Sequence, residues 1–332
     1  MLWSEKYRPA TLEGVLGQDE AVRVLSSFAE SGNVPHLLVV GPTGTGKSIA
    51  VEALARTLYG ANWQENTTVF PAADLFEQGK KYLEADERFG HIYKKDESFL
   101  TNFKYLVKWY AAIRPLDAGF KLMVFEGASA ISREAQQGLR RIMERYSGTC
   151  RFVFLTTNGS AIIPAIASRC LPITFVPVDD DLIRRRLTAI LEGEGVAADR
   201  VSADDLDLIV PAAGGDLRRA TILLQVFAES KGPVDLAQTT SSETETVAAS
   251  AFAALMSGNP AAARQRAESL LIDYGLTGPE VIRELAKAAE REYNDPRIAV
   301  ALADADLVIR RGSNEFIQIN ALLARISQEV FS

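Results

Sequence analysis

The sequence has few of the residues that stabilise secreted proteins or bind soft metals. Its 332 residues include only two cysteines, Cys150 and Cys170, and two histidines. Two cysteines cannot build a disulfide framework, and so few His and Cys side chains argue against a structural metal site. This composition is typical of the reducing cytoplasm, and we expect both thiols to be inert.

Long apolar segments are absent as well. No run approaches the roughly 18 consecutive apolar residues that a membrane-spanning helix needs. The N-terminal stretch MLWSEKYRPA has no apolar core of the kind found in secretory signals. We therefore expect a cytoplasmic protein that makes no contact with a membrane.

An excess of positive charge is missing too. The formal net charge is −7 at pH 7, which argues against a protein that coats nucleic acid with its whole surface. Binding follows the local field, so a basic strip in a channel is compatible with this net charge. The length allows two or three domains, each with a core of its own.

Short apolar runs alternate with helical patterns from about residue 35 to residue 175. This alternation predicts a parallel sheet covered by helices, which is an α/β fold. The predicted strands are LLVV (37–40), TTVF (67–70), LMVF (122–125), FVFL (152–155) and ITF (173–175).

The pattern is helical only from residue 177 to about 236. Ser202 and Asp205 have the spacing of a capping box, and Asp216 follows two glycines where the next helix should begin. A polar stretch, 237–246, predicts a linker. The remainder, 247–332, is helical again, with predicted helix starts at Pro260, Pro279 and Pro296.

The connection between the second and third predicted strands is long. Roughly fifty residues separate Phe70 from Leu122, whereas most connections between elements are far shorter. We interpret about 75–117 as a charged insert, either a solvated helical element or a surface for a partner or DNA. The second interpretation would use four lysines, Lys80, Lys81, Lys94 and Lys95.

The stretch GPTGTGKS (41–48) follows the first predicted strand and precedes a helical pattern. This is the complete P-loop pattern in its strand–loop–helix context. It predicts a nucleoside triphosphate site, with Lys47 at the β- and γ-phosphates and the Ser48 hydroxyl on Mg²⁺. The residues of the predicted loop are Gly41, Pro42, Thr43, Gly44, Thr45, Gly46, Lys47 and Ser48.

Three further polar residues are candidates for phosphoryl-transfer chemistry. Asn158 ends the strand of FVFLTTN and could position an attacking water, although it could equally be a loop-capping residue. Arg169 in IASRC is, from the residues alone, a surface charge. Arg218 lies in the first turn of a helix, where the dipole disfavours cations, so another interaction should hold it there.

Taken together, these motifs resemble the AAA+ clamp loaders, and most closely the replication factor C small subunits of archaeal type. The resemblance spans nearly the whole chain. WSEKYRP (3–9), which contains Arg8 and Pro9, is similar to the adenine-pocket signature, and GGDLRRA (214–220) to sensor 2. Other matching stretches are GPTGTGKS (Walker A), EAQQGLRRIMERYS (the helix after Walker B), RFVFLTTN (sensor 1), SRC (168–170, the arginine finger) and SNEFIQINALLARI (the end of the collar).

The resemblance implies a RecA-like AAA+ domain over 1–176, a helical lid over 177–236 and a helical collar over 247–332. ATP and Mg²⁺ would bind between the first domain and the lid, with Arg218 reaching the phosphates and Arg169 acting in trans on a neighbour. The partners it implies are other clamp-loader subunits in a pentameric hetero-oligomer, a sliding clamp and primer–template DNA. The helix 134–147 would lie near the DNA channel, with Arg140, Arg141 and Arg145 on its polar side.

One stretch, LMVFEGASAIS (122–132), departs from the family. Members usually carry Asp-Glu-Ala-Asp after the Walker B strand, and this chain has Glu126, Gly127, Ala128 and Ser129. Glu126 supplies a carboxylate for Mg²⁺, one methylene longer than Asp, so we expect weak coordination. Gly127 stands in place of the glutamate that activates water, and losing a positioned base typically costs about 10²–10⁴ in rate.

We therefore expect a paralogue with a degenerate Walker B that binds ATP, hydrolyses it poorly and supplies an arginine finger to a neighbour. Hydrolytic activity could be retained in two ways. Glu126 could take the catalytic role, or the insert could donate a carboxylate from Glu84, Asp86 or Glu87. The alternative functions are a fully active clamp-loader ATPase with an unusual Walker B and a regulatory AAA+ protein acting on an alternative clamp.

Overall fold

The chain forms two compact units, Met1–Pro233 and Val234–Ser332. A computed structural model describes residues 1–90, 92–115, 117–197, 200–230, 243–293, 295–310 and 314–331. No helix among the described residues is long and apolar enough to cross a membrane.

The first unit is built on a five-stranded parallel sheet with the order β2-β3-β4-β1-β5. The strands that the sequence predicted are therefore confirmed as one sheet. Burial is nearly continuous along the three central strands, because helices cover both faces of a parallel sheet, and it is only partial along the two edge strands. The strands are β1 (Leu37–Val40), β2 (Thr67–Pro71), β3 (Lys121–Glu126), β4 (Cys150–Thr156) and β5 (Leu171–Thr174).

Helices surround this sheet and complete the first unit. Four single-turn 3₁₀ helices, Leu12–Gly14, Gly60–Asn62, Ala128–Ala130 and Gly159–Ala161, lie in the connections. The α-helices are α1 (Trp3–Lys6), α2 (Asp19–Ser31), α3 (Lys47–Tyr59), α4 (Ala72–Gln78), α5 (Lys80–Ala85), α6 (Glu87–Gly90), α7 (Phe99–Ala112), α8 (Arg133–Tyr146), α9 (Pro164–Ala167), α10 (Asp180–Glu194), α11 (Ala203–Ala213) and α12 (Leu217–Glu229).

The segment between β2 and β3, which the sequence predicted as a charged insert, is packed on its inner side. It forms α4 to α7, and Phe89 and Phe103 are fully buried. The ring of Phe70 on β2 stacks on Phe89 at 5.5 Å and on Phe125 of β3 at 5.3 Å. The charged residues occupy only the outer side of this segment, because its aromatic residues cover one face of the sheet.

The last three helices of the first unit begin at side-chain caps. Ser202 and Asp205 form the predicted capping box of α11. Asp216 caps α12 by accepting a hydrogen bond from the Arg219 amide at 2.8 Å. The two glycines before Asp216 both have positive φ, so the chain can reverse between these helices.

The second unit is entirely helical in its described residues. Its helices are α13 (Glu243–Met256), α14 (Pro260–Ile272), α15 (Gly278–Glu292), α16 (Pro296–Arg310) and α17 (Glu315–Glu329). Apolar side chains from all five form one core. Most of the predicted linker, 237–242, lies outside the described residues, and its last four residues, 243–246, begin α13 rather than extending a loop.

Candidate nucleotide-binding site

The P-loop connects the end of β1 to the start of α3. Gly44 and Gly46 have φ of +64° and +98°, a region that residues with a Cβ rarely adopt. These two glycines turn the backbone so that amides converge at the start of α3. Converging N–H groups at a helix N-terminus are an anion-binding arrangement.

Lys47 is folded back onto the loop. Its Nζ donates hydrogen bonds to the Gly41 carbonyl oxygen at 2.7 Å and to the Pro42 carbonyl oxygen at 2.5 Å. Burial lowers the pKa of Lys47, and the nearby Asp216 carboxylate opposes this shift. In the described part of the chain the ammonium group donates to two backbone carbonyls, and a phosphate would be a stronger partner.

Asp216 lies directly against the P-loop. A Cβ atom on Gly44 would stand 1.6 Å from Asp216 Oδ1, so only glycine leaves room for the carboxylate. Asp216 thus has two roles, since it caps α12 and fixes the start of that helix on the phosphate-binding loop. This contact is invisible in the sequence, where 171 positions separate Asp216 from Thr45, the middle of the loop.

A cavity of about 180 Å³ opens beside the loop. Its lining combines Lys47 and Ser48 of the loop with the aromatic side chains of Trp3 and Tyr7. Its lining comprises Trp3, Ser4, Glu5, Tyr7, Arg8, Pro9, Gly14, Val15, Leu16, Gly44, Thr45, Gly46, Lys47, Ser48, Ile49, Arg186, Ile190, Leu217, Arg218 and Thr221.

The N-terminal segment forms one wall of this cavity and is anchored on two sides. Arg8 pairs with Glu52 of α3 at 2.5 Å. Lys6 pairs with Glu194 at the end of α10 at 2.7 Å, and Arg186 donates to the Tyr7 carbonyl oxygen. The segment therefore joins the P-loop helix to the helices that follow the sheet.

Glu126 and Asn158 lie at neighbouring strand ends on the P-loop side of the sheet. β4 lies between β3 and β1, and Val40 is opposite Thr156. Neither Glu126 nor Asn158 lines the cavity. The Asn158 Oδ1 accepts from the amide and hydroxyl of Ser160, so this side chain caps the 3₁₀ turn.

Gly127 has a left-handed backbone, with φ of 63° and ψ of 39°. It caps the 3₁₀ helix Ala128–Ala130, whose turn closes through a hydrogen bond from the Ala130 amide to the Gly127 carbonyl oxygen at 2.9 Å. A Cβ atom here would stand 3.2 Å from the Cβ of Ala73 on α4. The backbone conformation of the turn after β3 therefore favours glycine at position 127. The same glycine leaves the turn without a carboxylate at this position.

Arg169 lies away from the cavity and pairs with α8. Its Nε and Nη2 donate to Glu144 Oε1 at 3.0 and 2.5 Å, and its Nη1 donates to the Ala165 carbonyl oxygen at 2.7 Å. Hydrogen bonding from Arg169 is the main reason that the pKa of Glu144 is lowered. Arg218, by contrast, lines the cavity and lies 3.7 Å from Glu5.

A basic groove runs between α7 and α8. Lys104 of α7 packs so closely over Gly138 that a Cβ there would meet Lys104 Cε at 2.8 Å. Lys104 also pairs with Glu134 at 3.4 Å. Side chains lining the groove are Lys104, Tyr105, Lys108, Glu134, Gln137, Arg140, Arg141, Ile142, Arg145 and Tyr146.

A buried amide links the loops on either side of α8. The Gln136 Nε2 donates to the carbonyl oxygens of Ile131 and Ala161, and its Oε1 accepts from the Ile163 amide at 2.8 Å. The loop after β3 is thereby tied to the loop after β4. A shift of α8 would thus displace the loops at both strand ends.

The donor set suits a magnesium ion carried in by a nucleotide rather than a metal held by protein alone. Ser48 lines the cavity and Glu126 ends β3, and each side chain carries an oxygen of the kind that Mg²⁺ prefers. No group of three or more His, Cys, Asp or Glu side chains that could hold a metal occurs among the described residues. Mg²⁺ commonly takes one or two protein ligands and completes its shell with phosphates and water.

The sequence-predicted residues thus do not all lie at one place. Arg8, Pro9, Arg218 and the loop residues 44–48 line one cavity. Gly41 and Pro42 support Lys47 from behind, and Thr43 is an exposed loop residue. Glu126 and Asn158 lie at strand ends, and Arg169 lies on a separate surface. The contacts of Asp216 and Glu144 could not be predicted from the sequence, although both residues lie within the family-like motifs GGDLRRA and EAQQGLRRIMERYS.

Comparison with known proteins gives nearly full-length matches. The family described as DNA polymerase III, delta subunit, matches residues 17–179, and the Replication factor C C-terminal domain matches residues 244–325. The chain is 33% identical to the replication factor C small subunit of Archaeoglobus fulgidus, over 98% of this chain and 97% of that protein. It is 34% identical to that of Methanocella arvoryzae, over 99% and 97%.

Solved structures show the same fold at low identity. The Aeropyrum pernix Orc1 protein in complex with DNA matches with a TM-score of 0.54 at 18% identity, covering 85% of each chain. A mutant of Thermotoga maritima RuvB matches with a TM-score of 0.51 at 13% identity, covering 86% of this chain and 87% of that one. The first unit accordingly has the RecA-like AAA+ fold, as the sequence predicted.

Proposed function

The chain belongs to the replication factor C small-subunit family, and we propose that it is an ATP-binding clamp-loader subunit that hydrolyses ATP poorly at its own site. In this proposal it helps to load a sliding clamp onto primer–template DNA and supplies Arg169 to a neighbouring subunit. The observation that carries the proposal is the combination of a complete P-loop cavity with a left-handed glycine after β3.

ATP binding is supported by the chemistry of the cavity. Lys47 is half-buried and offers its charge beside the converging amides of the P-loop. Trp3, Tyr7 and Ile190 provide flat and apolar surface for an adenine in the same cavity. Arg218 lies at the cavity wall, where its guanidinium could pair with phosphate oxygens.

Ser48 and Glu126 would hold the magnesium ion that accompanies ATP. The bound ion would neutralise phosphate charge and polarise the terminal phosphate. Glu126 is half-buried at the end of β3, and its longer side chain places the carboxylate differently from the shorter Asp of the family signature. Because Mg²⁺ requires near-ideal octahedral geometry, this substitution is expected to weaken coordination.

Poor hydrolysis follows from the turn after β3. Gly127 has no side chain to orient or deprotonate water, and the Asn158 amide oxygen is engaged with Ser160. Glu84, Asp86 and Glu87 of the segment between β2 and β3 were candidates for a donated carboxylate. Asp86 is committed to Arg88 at 2.6 Å, which argues against its use.

Nucleic acid would bind the groove between α7 and α8. The groove presents two lysines and three arginines against a single carboxylate, Glu134. A phosphate backbone is the polyanion that such a concentration of cations attracts, despite the negative net charge of the chain. Tyr105 at the same groove adds an exposed ring that a base could stack on.

The remaining parts of the proposal concern assembly. We infer that the helical second unit joins other loader subunits in a pentameric hetero-oligomer, that the complex engages a sliding clamp, and that it acts in the cytoplasm. Co-purification of the tagged chain with a sliding clamp and other loader subunits tests this directly. Recovery with a different clamp would instead favour a regulatory AAA+ protein.

The central test combines two variants of this chain within the assembled complex. Lys47→Ala should abolish ATP binding by this chain, measured by titration calorimetry, while most DNA- and clamp-stimulated turnover of the complex is retained. Arg169→Ala should lower that turnover by tenfold or more, since arginine fingers contribute about 10³–10⁵ in rate. The matched control is Arg23→Ala, which removes a cation at an exposed position outside the cavity.

The two hypotheses about hydrolysis give opposite results. If Lys47→Ala in this chain abolishes turnover while the complex assembles normally and its partners still bind ATP, the chain is an active ATPase and the poor-hydrolysis proposal is wrong. If turnover persists and Arg169→Ala has no effect, the finger role is wrong while ATP binding stands.

A further inference from the structure

One carboxylate oxygen holds two arginines that belong to different surfaces. Glu144 Oε1 accepts from Arg169 at 2.5 and 3.0 Å and lies 3.4 Å from Nε of Arg140. Arg169 belongs to the SRC stretch, whereas Arg140 lines the groove between α7 and α8. Glu144 is therefore the only side chain for which the described contacts connect the candidate finger to the groove.

The position of Arg169 is fixed from two sides on its own chain. Glu144 binds two of its nitrogens, and the Ala165 carbonyl oxygen accepts from the third at 2.7 Å. A guanidinium held in this way must leave Glu144 before it can bind a phosphate elsewhere. The pair is partly exposed, at 34% for Arg169 and 44% for Glu144, so it is weak enough to exchange.

We propose that Glu144 is a positioning residue that retains Arg169 on its own subunit and releases it when a nucleic-acid backbone occupies the basic groove. The proposal rests on the finger role of Arg169 given above. Through Glu144, occupation of the groove would control whether Arg169 is available to a neighbouring subunit.

The physical basis is competition between anions for shared cations. A phosphate bound at Arg140 brings a second negative charge next to Glu144, and like charges at this range repel. The phosphate also takes Arg140 away from the oxygen that it shares with Arg169. Repulsion from the phosphate is the effect that weakens the hold on Arg169, because Glu144 lies on an exposed helix surface and can rotate towards solvent.

The first experiment observes Arg169 directly in the isolated chain. The arginine Nε–Hε signals are recorded by NMR with ¹⁵N-arginine labelling, and Arg169→Lys identifies the relevant signal. Glu144→Gln, which keeps an acceptor oxygen and removes the charge, should shift this signal. Adding a primer–template duplex should move the wild-type signal in the same direction. A signal of Arg169 that does not respond while that of Arg140 does would overturn the proposal.

The second experiment measures ATP turnover by the assembled complex with and without the duplex. Glu144→Gln should raise turnover without DNA by about twofold to fivefold, the range expected for an exposed ion pair, and lower the stimulation ratio by the same factor. Glu20→Gln is the matched control, since it removes an exposed carboxylate that pairs with an arginine, Arg23, outside both the groove and the cavity. An unchanged ratio in Glu144→Gln, or an equal change in Glu20→Gln, would overturn the proposal.

The variant Arg169→Ala in the same complex separates the two levels of inference. If it lowers turnover and Glu144→Gln changes nothing, the finger role stands and the role of Glu144 is wrong. If it leaves turnover unchanged, the finger role itself is wrong, and the NMR experiment still decides whether Glu144 responds to nucleic acid.

Discussion

Replacing Gly127 with glutamate would restore the side chain that the family signature carries after the Walker B strand. A missing base alone would predict that Gly127→Glu regains hydrolysis. The backbone predicts otherwise, because φ at this position is +63°. We expect the variant to be less stable than the wild type and to hydrolyse ATP no faster.

The cost can be worked out from two contributions. A residue with a Cβ in the left-handed region costs roughly 1–2 kcal/mol relative to glycine. In addition, the new Cβ would stand 3.2 Å from the Cβ of Ala73, so α4 must yield by a few tenths of an ångström. The free energy of unfolding should therefore fall by about 1–2 kcal/mol or slightly more. For a unit of this size each kcal/mol lowers Tm by roughly 2–4 °C.

Thermal unfolding and single-site ATP turnover are the appropriate assays. Gly127→Asn separates backbone from side chain, since Asn tolerates the left-handed region better than other residues with a Cβ. It should lose less stability than Gly127→Ala. The double variant Ala73→Gly with Gly127→Glu removes the contact with α4 and should recover part of the loss, without a gain in turnover.

A clear result would refute this reasoning. If Gly127→Glu unfolds at the wild-type temperature and its turnover rises by 10² or more, the range attributed to a positioned base, the turn accommodates glutamate and only the side chain was missing. A gain in turnover accompanied by lower stability would instead mean that the turn rearranges at a cost into a competent form.

Two further predictions concern other buried contacts. Asp216→Asn keeps the cap of α12 but removes a negative charge beside Gly44. ATP should therefore bind roughly threefold to tenfold more tightly, which is a gain of about 1 kcal/mol in binding free energy. Equal affinity of the variant and the wild type by titration calorimetry would show that the carboxylate leaves the loop on binding. Burial lowers the pKa of His36 to about 4. As the pH falls below about 6.5, this histidine therefore takes up a proton in the unfolded state before it does so in the folded state. The free energy of unfolding should drop by about 2–3 kcal/mol between pH 7 and pH 4.5. Urea unfolding of His36→Gln should lack this part of the pH dependence, and an identical slope would contradict it.

Local features of the fold could be predicted from the sequence because each depends on neighbouring residues. The P-loop needs its own glycines and Lys47, and the capping box of α11 needs only Ser202 and Asp205. The strands were recognisable because a parallel sheet covered on both faces requires continuous apolar runs. None of these predictions required knowledge of what the segment packs against.

Features that depend on distant contacts could not be predicted in the same way. The charge of the segment after β2 suggested solvation, but the stacking of Phe89 on Phe70 decides its position. Gly127 was recognised as the loss of a glutamate, whereas its positive φ is a property of the folded turn and leaves no separate mark in the sequence. Asp216 was identified as a cap, and its contact with Gly44 emerged only from the tertiary structure.

The arrangement of the first unit bears on whether ATP binding and action in trans can be separated by mutation. Lys47 bonds only to its own loop, whereas Arg169 bonds to Glu144 and to Ala165. The two residues share no described partner, and effects of mutations without shared partners usually add. Lys47→Ala combined with Arg169→Ala should therefore lose ATP binding and neighbour stimulation independently. Strong non-additivity would contradict this and show that the P-loop and the surface of Arg169 are coupled.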